Sequence, residues 1–322
     1  MLQLECEIKI GELFFDFTHY VKIKSSWKTL TDTAVLKFPR NLKTKDDVNF
    51  KEVLTAGTPV SIKLGYKEYG ITERFTGYVS DLGADTAIAE ITCEDEMWNL
   101  KQTNINKSWK DGNVEDIIKY LKAQAGATWG YEILGDKVQI GQVKFENVPV
   151  SKCLQKLKDD YGMICFFRNG KLMVGKPYDP DSTKRRKVLF EYGRNVISWK
   201  DLKFKRKEEV KLKVKIVNHK ANGTKKEFIA GDKDGEERTL DFYNRKEDDL
   251  KKEAYALLEK MKYDGYRGKI IAFGEPVIQH GDTAQIRDWR YTERESEIFV
   301  DDVETTFNVS KIRQEIELGL KV

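Results

Sequence analysis

Residues 57–90 read "GTPVSIKLGYKEYGITERFTGYVSDLGADTAIAE", and residues 281–314, 224 positions further on, read "GDTAQIRDWRYTERESEIFVDDVETTFNVSKIRQ". Laid together without a gap and carried on to 92 and 316, they share six identities in 36 positions. These are Gly57 with Gly281, Ile62 with Ile286, Glu73 with Glu297, Phe75 with Phe299, Val79 with Val303 and Ile88 with Ile312. Both stretches alternate apolar and polar residues around turn glycines, the pattern of half-buried antiparallel strands. A slip of one residue would turn every side chain to the other face, so a register kept over this length points to a duplicated strand domain. Two unrelated meanders sharing only alternation would give a similar count, and the residues alone leave both readings open.

Working outward, residues 1 to about 100 are strand-like throughout, in "LECEIKI", "VLKFP", "PVSIKLGY", "ERFTGYVSDL" and "AIAEITCED". Closely spaced strands without a long helix between them predict an antiparallel barrel or sandwich. The period then changes. In "NVEDIIKYLKAQAG" Val114, Ile117, Ile118, Leu121 and Ala125 share one helical face and Gly126 is placed to stop the helix. "NVPVSKCLQKLKDDYG" repeats the spacing with Val150, Cys153, Leu154, Leu157 and Tyr161, and Pro149 suits a helix start. "MICFFRNGKLMVG" reads as two strands about an Asn169-Gly170 turn. The polar run "YDPDSTKRRK", Tyr178 to Lys187, marks a boundary, after which strands return in "NVISWKDLKFK" and "EVKLKVKIVNH". One further helix, at about 247–262, carries Leu250, Ala254, Leu257, Leu258 and Met261 on one face.

The expected fold is therefore α+β and mostly β: two antiparallel β-barrel domains with a small α/β domain between them and a helix inserted in the second barrel. The boundaries read as 1–103, 104–190 and 191–322, with an insertion around 218–268.

A reactive site is hard to find. "GEPVIQHGDTAQIRD", Gly274 to Asp288, gathers His280, Asp282, Arg287 and Asp288, but Pro276 and Gly281 read as turn punctuation, with strands at Val277, Ile278, Ala284 and Ile286. On that reading the polar groups face solvent. His280 and Asp282 fall opposite Ala56 and Thr58, so the other copy lacks the cluster. His19, His219 and His280, the only histidines, show no metal-ligand spacing, and no phosphate-cradling glycine loop or nucleophile elbow occurs. "GDKDGEERTLD" has Asp232, Asp234 and Gly235 at calcium-loop offsets, but Ala230 and Asp241 occupy the first and last ligand positions, so a solvated hairpin tip is the expectation. No catalytic, cofactor-binding or metal-binding residue is assigned, and no cofactor is expected.

Composition narrows the classes further. In 322 residues, 40% hydrophobic and 34% charged, the longest apolar runs fall far short of the about 20 residues a membrane helix needs, so no membrane span is expected. The start, "MLQLECEIKIGELFFDF", has the alternation of a strand rather than the pattern of a secretory signal, and synthesis in the cytoplasm is expected. Cys6, Cys93, Cys153 and Cys165 form no C-x-x-C pair and read as small core residues. Fifty-seven basic against fifty-three acidic residues leave +4, so any charge-driven function is local. The one anomaly is "KDLKFKRKEEVKLKVKIV", where Lys203 and Lys205, then Lys211, Lys213 and Lys215, alternate with apolar residues as a ladder on one strand face. Such lysines either guard a sheet edge or face an anionic partner, for example DNA in a channel.

The order strand domain, two-helix α/β domain, strand domain with one inserted helix resembles the central baseplate hub proteins of contractile phage tails and related injection machines, the late control D proteins among them. The residues carrying the resemblance are "RFTGYVSDL" with "EITCEDEMWNL", then "VKFENVPVSKCLQKLKDDYGMICFFRNGKLMVG", and finally "EYGRNVISW", "AYALLEKMKYDGYRGKIIAFGEPVIQHGDTAQI" and "VDDVETTFN". They cover nearly the whole chain but are loose patterns of turns and core positions. The resemblance implies two homologous barrels, which favours the duplication, and a homotrimer whose six barrels form a ring between a six-fold tail tube and a three-fold spike. It further implies a non-enzymatic structural protein of a phage or prophage-derived tail particle, assembled in the bacterial cytoplasm. Its implied partners are the tube or tube-initiator protein, a spike protein and other baseplate proteins, with DNA passing transiently through the ring. The chain ends at "QEIELGLKV", so the spike is expected to be a separate protein, and no lysozyme domain is expected. A nucleic-acid-binding protein using the lysine ladder and a tail-associated cell-wall hydrolase are the alternatives.

Overall fold

The computed structural model describes residues 2–39, 42, 54–83, 88–135, 139–175, 185–199, 201–220, 224–243 and 246–322. The first strand unit runs β1 (Leu4–Ile10), β2 (Leu13–Phe15), β3 (Tyr20–Ser26), β4 (Thr33–Pro39), β5 (Pro59–Tyr66), β6 (Gly70–Leu82) and β7 (Ile88–Glu94). A short helix α1 (Met97–Leu100) leads into a middle unit. That unit comprises β8 (Asn104–Asn113), α2 (Val114–Gln124), β9 (Gly130–Leu134), β10 (Gln139–Pro149), α3 (Val150–Tyr161), β11 (Ile164–Arg168) and β12 (Lys171–Gly175). The second strand unit starts with β13 (Lys187–Glu191), β14 (Val196–Ser198) and β15 (Leu202–Lys205). Between these and its remaining strands lie β16 (Leu212–His219), β17 (Lys225–Gly231), β18 (Glu236–Tyr243) and α4 (Glu247–Met261). The unit then completes with β19 (Gly265–Phe273), β20 (Thr283–Arg287), β21 (Ser296–Asn308) and β22 (Lys311–Lys321).

The chain is mostly β, with antiparallel pairing dominant, as expected. The two strand units share a pairing order: β5-β6-β7-β4-β3 in the first matches β20-β21-β22-β19 followed by β14 and β15 in the second. Backbone hydrogen bonds fix the equivalence. Gly57 N–H donates to Val79 O and Val79 N–H to Thr58 O, while Gly281 N–H donates to Val300 O and Val300 N–H to Asp282 O. Both glycines hold positive φ, +89° and +81°, where a side chain would be strained. A register shift follows each valine, between Val79 and Asp81 and between Val300 and Asp302. The ungapped alignment thus holds at Gly57 and Ile62 but not beyond, because Val79 corresponds to Val300 and not to Val303. Phe75 and Phe299 are both buried strand residues, yet it is Tyr78, opposite Pro59, that matches Phe299, opposite Thr283. The second hairpin is three residues shorter, a difference the alternation of apolar residues hides.

The described pairings close neither unit into a barrel. They form one 14-stranded sheet whose path runs from β14 to β2, because the C-terminal half of β21 pairs antiparallel with β3, Asp302 opposite Ser26 through Asn308 opposite Tyr20. The two units protect these strand edges by fusing with each other. Phe307 and Ile312, on β21 and β22, accordingly sit in the same apolar cluster as Ile8, Leu36, Ile62 and Ile91 of the first unit. Among the second unit's own core residues are Phe190, Ile270, Ile286, Ile298, Val300 and Ile316.

The middle unit forms as its periodicity dictates. Asn113 caps α2 by accepting from Asp116 N–H (2.9 Å), and Val114, Ile117, Ile118 and Leu121 are buried. Helix α3 ends in a left-handed Gly162, with Gly162 N–H bonded to Lys158 O and Met163 N–H to Leu157 O. Asn169 and Gly170 both have positive φ and close the tight β11–β12 hairpin. The polar run at 178–187 lies outside the described residues up to 184.

The inserted helix α4 does not enter the second unit's core. Leu250, Ala254 and Met261 pack with Leu212, Val214, Ile216 and Ala230 in a cluster of their own, over the three-stranded sheet β17-β16-β18, with Leu257 and Leu258 only partly buried. The segment 232–235 is likewise no hairpin tip, since β17 and β18 flank β16 and the connection crosses the end of β16. Asp232 accepts from Leu212 N–H (3.0 Å) and pairs with Lys262 (2.5 Å), so its carboxylate anchors the crossing.

Candidate functional site

The loop between β19 and β20 turns at Gln279–Asp282, as its Pro and Gly predict, but its polar side chains do not face solvent. His280 is 2% exposed, Asp282 4% and Asp288 7%. The expectation of solvated groups fails because the loop lies where all three units meet, roofed by β11 and faced by the β3–β4 connection. Val277 and Ile278 are also not in a strand.

Each unit sends charge into this junction. Arg186, just before β13, donates through Nε (3.2 Å) and Nη2 (2.8 Å) to one oxygen of Asp282, Oδ2. Arg168, at the end of β11, stands 3.8 Å from the same carboxylate. From β6, Arg74 donates to Gly274 O (2.7 Å) and Glu275 (3.0 Å), and burial lowers its pKa to about 10 against the opposing pull of Glu275. His280 packs edge-on against Phe166 (4.6 Å between ring centres), and its Nε2 lies 3.8 Å from Asp32 Oδ2. Asp32 accepts the Ser25 hydroxyl (2.5 Å) and Ser26 N–H (3.1 Å). Behind it Asp95 accepts from the N–H groups of Asp32 (3.1 Å) and Met97 (3.0 Å). Burial, and then the neighbouring Asp32 charge, push the Asp95 carboxyl well above the usual range.

A cleft of about 1500 Å³ opens over this network, walled by Trp27, Phe75, Trp129, Phe166 and Phe299 among others. The ion pairs and hydrogen bonds beneath it join residues of all three units. The Ser25 hydroxyl is bonded to the Asp32 carboxylate rather than to the His280 imidazole. Burial raises the thiols to about 11 for Cys6 and about 12 for Cys93, Cys153 and Cys165, which keeps them protonated. Among the described residues no group of three or more His, Cys, Asp or Glu is placed to hold a metal ion. Arg74, Arg168, Arg186, Asp32 and Asp95 come from distant parts of the chain, and no spacing in the sequence announced them.

The lysine ladder is divided between two sheets. Lys203 and Lys205 are exposed on β15, an edge strand of the large sheet. A 3-10 turn at Lys207–Glu209 then carries the chain to the small sheet. There Lys211 is exposed, while Lys213 and Lys215 of β16 are half-buried and paired with Glu237 (2.9 Å) and Glu227 (2.8 Å). All five lie outside the apolar clusters, as the cost of burying unpaired ammonium groups demands.

No sequence-family profile and no curated protein matches the chain. Solved structures do. The prophage MuSo2 43 kDa tail protein of Shewanella oneidensis is 15% identical, with a TM-score of 0.63 over 98% of both chains. A tail protein of Neisseria meningitidis MC58 is 14% identical, with a TM-score of 0.65 over 99% of this chain and 97% of that one. An Escherichia coli component of the type VI secretion system, described as similar in structure to the T4 tail proteins gp27 and gp5, gives 0.58 at 9% identity, covering 97% of this chain and 76% of that one. No helix among the described residues is long and apolar enough to cross a membrane. Over almost its whole length the chain has the fold of phage and prophage tail proteins and of their type VI secretion counterpart.

Proposed function

We propose that this protein is the structural hub of a phage or prophage-derived contractile tail baseplate, a homotrimeric ring that adapts a six-fold tail tube to a three-fold spike. The observation that carries the reading is the repeated strand order within one chain. Two strand units with the same β5-β6-β7-β4-β3 order, fused edge to edge, give each chain two similar building blocks, and three chains then supply six. The fold match to tail proteins over 98% of both chains supports the same reading. We take 1–103 and 191–322 as homologous barrel-type domains and 104–190 as the spacer, except that β13 belongs with the second domain, and we take the insertion peculiar to that domain to run from β16 to α4, 212–261, rather than over the expected 218–268.

On this reading the chain works by shape and symmetry rather than by catalysis. Tube or tube-initiator, spike and other baseplate proteins are its partners, the assembled particle is its location, and DNA passes through the ring. The buried charge network then has a mechanical role: it locks three units into one orientation, so that the faces met by tube and spike keep a fixed spacing. The test is immunogold labelling of purified tails with antibody to this chain, together with loss of its gene. Label at the end of the tail, between tube and spike, with no tails formed in its absence, is expected. Label along the tube or sheath, or normal tails without the chain, would refute the hub assignment.

A further inference from the structure

We propose that the C-terminal end of β6 in one copy pairs antiparallel with β15 of a second copy, repeating between chains the β21–β3 junction that joins the two strand units within the chain. The inference rests on the hub reading for its partner, a second copy of this chain, and on the pairing registers for its residues.

The registers specify the contact. Val79 and Asp81 of β6 correspond to Val300 and Asp302 of β21, each pair flanking a bulge. On the other side, Cys93 lies opposite Val79 and Ala34, as Leu318 lies opposite Val300 and Gly268, so Ala34 corresponds to Gly268. Ala34 faces Ile23 and Gly268 faces Leu202, which makes Leu202 the counterpart of Ile23 and Lys205 the counterpart of Ser26. Within the chain Asp302 sits opposite Ser26 and Val303 opposite Ser25. The same geometry between chains sets Asp81 opposite Lys205 and Leu82 opposite Phe204.

Both partners have the required edge. Beyond Val79, β6 pairs only with β7, and β15 pairs only with β19, among the described residues. Asp81, Lys203 and Lys205 are exposed, and Leu82 and Phe204 are half-buried. The internal junction already uses the same chemistry, with Lys22 bonded to Glu304 (2.7 Å) and Lys28 to Asp301 (3.0 Å) across the seam. Opposite charges facing each other across antiparallel strands are favourable, and a lysine-bearing edge with no acidic partner resists pairing. Lys205 thus meets Asp81 in the correct neighbour and repels other edges. The contact is head-to-tail, so it propagates around a ring and closes where the rotation allows.

The experiment introduces Asp81→Cys together with Lys205→Cys in the full chain and oxidises it, both as concentrated protein and within isolated tails. Covalent dimers and trimers are expected on denaturing gels, and none from Asp81→Cys with Lys225→Cys, whose second site lies on the outer strand β17 of the small sheet. In sedimentation at low salt, Asp81→Lys or Lys205→Glu alone should weaken self-association about tenfold, and the double reversal should restore it. Absence of the cross-link in both preparations overturns the proposal, as does equal cross-linking of the control pair or an unrestored double reversal. If gold label still marks the tube–spike boundary in that case, the hub reading stands and only this seam falls. Cross-linked trimers with no label at that boundary would keep the seam and remove the hub.

Discussion

Arg74 is the strongest single test of how the units are held together. Its side chain, 3% exposed, reaches from β6 of the first unit to Gly274 O and Glu275 of the second, with a longer contact to Gln314 (3.4 Å). Lowering its pKa from 12.5 to about 10 corresponds to about 3 kcal/mol of unfavourable burial of the charged form. That figure already includes the pull of Glu275; the hydrogen bond to Gly274 O, at about 1.5–3 kcal/mol, and the longer contact to Gln314 offset what remains. Removing one partner of a fully buried ion pair costs about 3–5 kcal/mol. Because Glu275 keeps 27% exposure and can rehydrate, Arg74→Met is expected to lose about 2–4 kcal/mol. Arg74→Lys, which keeps the charge but cannot fork, should recover only part of that loss. Urea unfolding followed by tryptophan fluorescence measures both, and a double-mutant cycle with Glu275→Gln isolates the pair. A loss below about 0.5 kcal/mol for Arg74→Met would show that the junction is not held by this contact.

Four further outcomes are expected. Leu250→Ala, at a 3% exposed position under the inserted sheet, should cost about 2–5 kcal/mol, and Leu257→Ala, only partly buried, distinctly less; equal losses would contradict the assigned face of α4. Gly57→Ala should cost about 1–3 kcal/mol in chemical denaturation, since it combines φ of +89° with a Cβ 2.7 Å from Trp98, and a neutral result would mean that the Trp98 ring gives way freely. For Asp95 the folded carboxyl holds its proton more tightly than the unfolded one, so stability falls as pH rises from the ordinary carboxyl range towards its raised folded pKa. Asp95→Asn should flatten the melting temperature over that window; an unchanged slope would assign it to other groups. Dialysis against a chelator should leave the melting temperature unchanged, and a fall of several degrees would reveal a metal site.

How much of this was legible in the sequence varies with the range of the interaction. Helices α2 and α3 were readable because their signals are local: apolar residues at helical spacing, a stop glycine at 126 and a proline at 149 suited to a helix start. The Asn169-Gly170 hairpin was readable for the same reason, as two residues that accept positive φ. The repeat was visible in kind, since alternation and the turn glycines at 57 and 281 mark both copies. Its true register was not, because Phe75 and Phe299 satisfy the same alternation whether or not they occupy the same place in the hairpin.

The candidate site was the least legible part. His280 and Asp282 looked like turn residues, and the turn is real, but their burial is imposed by Phe166, Arg168 and Asp32, which arrive from other units. The lysine ladder likewise was a single pattern in the sequence, yet a 3-10 turn at Lys207–Glu209 sends its halves to different sheets. By itself, then, the sequence determined what periodicity and turn chemistry determine: mostly strands, two short helices in the middle, one late helix, and two meanders of the same alternation. Only the tertiary structure decided that β21 leaves its own unit to pair with β3, that the inserted helix builds a separate core, and that three arginines converge on one junction. Strand pairing and burial of charge depend on which distant segments come together, and alternation along a chain is indifferent to which partner lies across the ladder.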